Sequence, residues 1–223
     1  MKKYFFIACI MIVSLSYASA QTATANDQTN YTQVITKRSE KIVSALGITD
    51  SAKFKRVTDI IINQYRNLSA IHDNRNEQVK EIKAKSGDDK AAVNAQVATI
   101  DSNVEKQLSA LHVSYLSKLG TELTPQQIDE VKDEMTYKIL PLTYGAYLDE
   151  LPNLTEPQKL QIKTWLLEAR EHAIDAESSE KKHAWFGKYK GRINNYLSAQ
   201  GYDMKKAGEE WQERIKERSA QKG

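Results

Sequence analysis

Apolar residues recur at steps of three and four along most of this chain. Phe54, Val57, Ile61, Leu68, Ile71, Val79 and Ile82 keep close to helical spacing, and Thr49 is placed to cap the helix they describe. Ser86-Gly87-Asp88-Asp89 breaks that run. Val93, Val97, Ile100, Val104, Leu108, Leu111, Tyr115 and Leu119 then describe a second long helix, which Gly120 ends. Two amphipathic helices joined by a short polar turn predict an antiparallel hairpin. Each arm carries one of two near copies, Leu68-Ser69-Ala70-Ile71-His72 and Leu108-Ser109-Ala110-Leu111-His112. His72 and His112 read as polar positions on that hairpin.

Start signals dominate the second half. In Leu123-Thr124-Pro125-Gln126-Gln127-Ile128, Thr124 is an N-cap, Pro125 occupies the first helical position and Gln127 completes a capping box. Pro141 is expected to interrupt that helix, with a short piece carrying Tyr144, Tyr147, Leu148 and Leu151 after it. Leu154-Thr155-Glu156-Pro157-Gln158 repeats the cap and opens a helix with Leu160, Trp165, Leu166, Leu167 and Ile174. Ser178-Ser179 caps another, running to Gly201, and Asp203 caps a last one with Trp211 and Ile215. No strand-like alternation exceeds a few residues. The fold class is all-α: a helical hairpin over 31–120 against a C-terminal bundle over 121–223, or one continuous domain over 31–223.

The N-terminus has a different pattern. Lys2 and Lys3 precede a nearly unbroken apolar run from Tyr4 to Leu15, and Ala18-Ser19-Ala20 is a small-residue cleavage site. Residues 1–20 are therefore expected to be a secretory signal peptide, and 21–30 a disordered lead-in rich in Thr, Ala, Asn and Gln. The apolar run is too short to span a bilayer, so no membrane span is expected after cleavage. The chain has 223 residues and one cysteine. That cysteine, Cys9, falls within the leader, so the mature protein has no disulfide or thiolate. The formal charge of +3 also shrinks. Without Lys2 and Lys3, 30 basic residues face 29 acidic ones, a net of +1. A chain so nearly neutral, and exported, is not expected to bind nucleic acid.

The basic residues cluster instead. Lys181 to Tyr202 contains no acid at all, whereas Lys181, Lys182, His183, Lys188, Lys190 and Arg192 alternate there with Trp185, Phe186, Tyr189, Tyr196 and Tyr202. On a helical wheel, Trp185, Phe186, Tyr189, Ile193, Tyr196 and Leu197 form a core-like face. Ala184, Gly187, Gly191, Asn195 and Ser198 form a smooth strip, where a helix or ligand can approach the backbone closely. Lys181, Lys188 and Arg192 lie between the two, beside Trp185. A groove floored by glycine, edged by donors and walled by an indole suits a sugar or a carboxylated ligand.

The run Lys182-His183-Ala184-Trp185-Phe186-Gly187-Lys188-Tyr189-Lys190-Gly191-Arg192-Ile193-Asn194-Asn195-Tyr196-Leu197, followed by Gly201-Tyr202-Asp203, resembles the signature of an uncharacterised family of exported, all-helical bacterial proteins described as sugar-binding. Trp165 to Ala173 and Trp211 fit the same resemblance, which extends over most of the mature chain. It implies a link to the use of complex carbohydrate, and supplies no catalytic residue.

The ligand-binding candidates are therefore Trp185, Lys188, Tyr189, Arg192 and Asn195, with Glu168 and His172 as neighbours. Glu168, Glu171 and Asp175 share one helix face with His172, a set that metal ligation or acid–base work could use. Such carboxylates more often face water in ordinary ion pairs, here with Lys163 or Arg170. No His-x-x-x-His pair, nucleophile elbow, phosphate loop or dinucleotide fingerprint occurs. No metal or cofactor is expected, and the chain leans towards a binder over an enzyme. Two rival readings accompany this one. The boxes at 123–127 and 154–158 resemble the repeated motif of small exported helical chaperones and stress sensors, and the smooth strip could dock a protein partner.

Overall fold

The computed structural model describes residues 13–85 and 89–221, with side chains from Thr29 onward. Among the described residues there are eight helices and no strand: α1 (Val13–Ala45), α2 (Ser51–Lys85), α3 (Lys90–Gly120), α4 (Pro125–Met135), α5 (Ile139–Glu150), α6 (Glu156–Ile174), α7 (Ser179–Ala199) and α8 (Met204–Ala220). The protein is all-α. Most of the expected leader, with Cys9, lies outside the described residues. The backbone at 21–30, where composition suggested an irregular lead-in, continues α1, since extending an existing helix needs no new nucleus.

Most expected boundaries stand, and two move. The cap of α2 is Asp50 and not Thr49: its carboxylate accepts from the backbone N–H groups of Ala52 and Lys53 at 2.8 and 3.0 Å. The break after α4 falls at residues 136–138, ahead of Pro141. Tyr137 and Lys138 turn the chain with φ of 60° and 55°. Pro141 then sits in the first turn of α5, where backbone N–H groups have no helical acceptor and its missing one costs nothing. Thr124 and Gln127 form the expected capping box on α4, and Gln158 accepts from the Thr155 N–H at 2.9 Å on α6. At the end of α7, Gly201 takes φ 91°, and Tyr202 N–H returns to the Leu197 carbonyl at 3.1 Å.

Two apolar cores result. The first joins Ile42 and Val43 of α1, Val57 and Ile61 of α2, Tyr115 and Leu119 of α3, and Val131 and Met135 of α4. The second packs Leu140 and Tyr147 of α5 with Ile162 and Leu166 of α6 and Phe186, Ile193 and Leu197 of α7. The cores thus divide between α4 and α5, later than the hairpin's end. α6 serves both, since its last residue, Ile174, belongs to the first core. Arg170, only 3% exposed, fastens α6 to α4 by pairing with Asp129 at 2.6 Å and Asp133 at 2.8 Å.

The smooth strip of α7 is bare. Ala184, Gly187, Gly191, Asn195 and Ser198 are all exposed, and among the described residues a Cβ at Gly187 or Gly191 would meet nothing within 4 Å. Gly187→Ala and Gly191→Ala should therefore each stabilise the protein by about 0.5–1 kcal/mol, measured by urea unfolding, because alanine restricts the unfolded chain and favours helix. A loss of stability would mean that the strip is covered.

Candidate functional site

The segments meet at a cleft of about 640 Å³ between the hairpin and the α6–α7 pair. Both hairpin histidines reach it. His112 of α3 is held on both ring nitrogens, by Asp175 Oδ2 at 2.7 Å through Nδ1 and by Glu171 Oε2 at 3.3 Å through Nε2. His72 of α2 bonds through Nε2 to the Asp175 carbonyl at 2.9 Å. Lys132 of α4 reaches the same Glu171 oxygen at 2.8 Å. The backbones of α3 and α6 stay apart, so these side chains span the gap.

Charge follows from that geometry. The hydrogen bond to Asp175, then that to Glu171, raises His112 to about 9, so the ring is a cation at neutral pH. Burial alone would raise Glu171. His112 and Lys132 outweigh it and hold the carboxyl at about 2. Asp175 keeps its second oxygen, Oδ1, buried without a hydrogen-bond partner among the described residues. Among the described residues no group of three or more His, Cys, Asp and Glu side chains is disposed to hold a metal ion.

The sequence-derived candidates occupy the mouth of this cleft and the face leading away from it. His172 lies parallel to Trp185, ring centroids 4.4 Å apart and planes 13° apart. Both line the cleft, and Lys181 stands beside them. Lys188 Nζ is 5.0 Å from the centre of the Trp185 ring. Further along, Arg192 lies 4.5 Å over Trp165 and 3.6 Å from Glu168, and Trp165 meets Tyr196 edge-on at 5.3 Å. Tyr189 is buried beneath this row, and burial together with Glu168 pushes its hydroxyl up to about 12. Six of the seven candidates thus form one continuous face across α6 and α7. Asn195 stands apart, exposed on the bare strip.

Several residues here escape the sequence reading. His72, His112, Lys132 and Trp165 were not candidates, and Glu171 and Asp175 looked like a solvated face. The duplicated pentads ending in His72 and His112 were the available signal. Their spacing along each arm does not say that both point at α6.

A family model matches residues 32–217, a span that includes both walls of the cleft. The chain belongs to that family, described as protein of unknown function (DUF3826). No curated protein matches it. Among the described residues no helix is long and apolar enough to cross a membrane.

Proposed function

We propose that this is an exported protein, cut after Ala20, that binds a complex carbohydrate along the α6–α7 face, with one sugar seated at the cleft mouth. The parallel His172–Trp185 stack carries the reading. The His172 ring covers one face of the indole and holds Trp185 half-exposed at the cleft rim, with Lys181, Lys188 and Arg192 on the same helix. Aromatic rings pack on the C–H faces of sugars, while the cations offer directional bonds to carboxylate or hydroxyl oxygens. Arg192 over Trp165 continues the row of rings and cations further along, so the face suits an extended ligand. The excess of cations on it favours acidic sugars. The charged pairs deeper in the cleft are already matched to one another, which suits recognition better than bond cleavage.

Glycan-array screening followed by calorimetry on the protein tests this. Trp185→Ala should weaken binding by about tenfold or more, the cost of losing a central aromatic anchor. Arg192→Ala should weaken uronic-acid ligands more than neutral ones. If the protein binds neither neutral nor uronic-acid glycans, the reading fails. Suppression of client aggregation without glycan binding would instead support the chaperone reading.

A further inference from the structure

Behind the α6–α7 link lies a second hollow, of about 450 Å³, walled by α1, α2 and the start of α7. It shares only His72, Ala176 and Glu177 with the cleft. Lys182 forms part of its wall at 4% exposure and donates to the carbonyls of Ala173 and Ile174 at 2.9 and 2.8 Å. An ammonium has three N–H groups, so one remains. Tyr65, 8% exposed, lines the same hollow, its hydroxyl buried and without a hydrogen-bond partner among the described residues. Arg38 of α1 lies 5.7 Å over the Tyr65 ring and forms no ion pair among the described residues. Two carboxylates share the lining: Asp73 accepts from the Ser69 hydroxyl at 2.8 Å, and Glu177 stands 3.7 Å from His72.

We infer that this hollow binds a small oxyanion, a carboxylate, phosphate or sulfate group, between the Arg38 guanidinium, the Tyr65 hydroxyl and the Lys182 ammonium. Buried donors without acceptors are rare in folded proteins because each forfeits its hydration. An oxyanion supplies several acceptors at once and can take a bond from each of the two cations on the lining. Consistent with that, burial lowers Lys182 to about 8, with Arg38 adding to the effect and Asp175 opposing it. The site does not depend on the sugar reading, because it lies behind the link and uses none of the α6–α7 face.

Calorimetric titration with inorganic phosphate, sulfate and glucuronate, each against chloride at equal ionic strength, tests the inference. At least one should bind saturably, and the preferred one separates a free inorganic anion from a sugar acid. Arg38→Gln should weaken that binding by about tenfold or more, the usual scale for a charge-assisted contact. Tyr65→Phe should weaken it severalfold, since phenylalanine keeps the ring beneath Arg38 and removes only the O–H donor. Trp185→Ala should leave phosphate and sulfate binding intact, and any glucuronate binding lost in that variant belongs to the glycan face, which keeps the two results separate. The inference is overturned if none of the three anions binds saturably, or if binding is undiminished in Arg38→Gln and Tyr65→Phe.

Discussion

Replacing His112 with glutamine should cost the folded protein about 2 kcal/mol near pH 6 and remove most of its loss of stability between neutrality and pH 9. The folded imidazolium has a pKa of about 9 against 6.5 for a free histidine. A raised value means that the native state holds the proton more tightly, so the stabilisation is complete below pH 6.5 and fades as pH rises through 9. A shift of that size would give roughly 3 kcal/mol if the pair were dry, and solvent in the open cleft reduces this to about 2. Glu171 acts in the opposite sense. Its pKa is lowered to about 2 from 4.5, so its contribution is present above 4.5 and lost as pH falls through 2. These two groups together predict a stability plateau between pH 4.5 and 6.5. Urea unfolding of the wild type and His112→Gln across pH measures it, and a variant with an unchanged profile would show that the clamp contributes nothing.

Lys182→Met should cost about 2–3 kcal/mol and abolish a separate rise in stability at alkaline pH. The ammonium donates to the Ala173 and Ile174 carbonyls at the end of α6; with methionine the Ala173 carbonyl keeps the Ala176 N–H at 3.2 Å, while the Ile174 carbonyl loses its donor in a buried place. Burial lowers Lys182 to about 8 from 10.5, so between those values the unfolded chain binds more protons than the native one. Stability therefore increases with pH through that window, offsetting the decline due to His112 where the two overlap. The neutral amine still has two N–H groups for its two carbonyls, so the contact survives deprotonation. Chemical denaturation from neutrality to pH 10.5 would show the rise in the wild type and not in Lys182→Met. The same variant should lose oxyanion binding.

Much of the fold was legible because helices announce themselves locally. The steps of three and four in α2 and α3, and the Thr-Pro-Gln starts of α4 and α6, are properties of a few consecutive residues. Pro141 misled because proline forbids an i−4 hydrogen bond inside a helix but is harmless in a first turn, and sequence does not say which turn it occupies. The wheel of α7 separated its faces correctly: Phe186, Tyr189, Ile193 and Leu197 are buried, and Trp185 and Tyr196 lie half-exposed beside them. Whether the glycine strip had a neighbour was another matter, since that depends on where other helices come to rest. The two Leu-Thr-x-x-Gln boxes proved to serve as helix starts, the role that capping chemistry alone predicts.

By itself the sequence determined an all-helical protein, most of its caps, and the one segment where aromatic and basic residues concentrate without acid. Tertiary structure alone decided that His72 and His112, on different helices and 40 positions apart, both close on Asp175. It likewise decided that Arg38, Tyr65 and Lys182 border one hollow. Periodicity and capping depend on neighbours within about one helical turn, which the sequence records directly. Convergence across helices depends on their crossing angles and on the packing of two separate cores, and no local pattern encodes that.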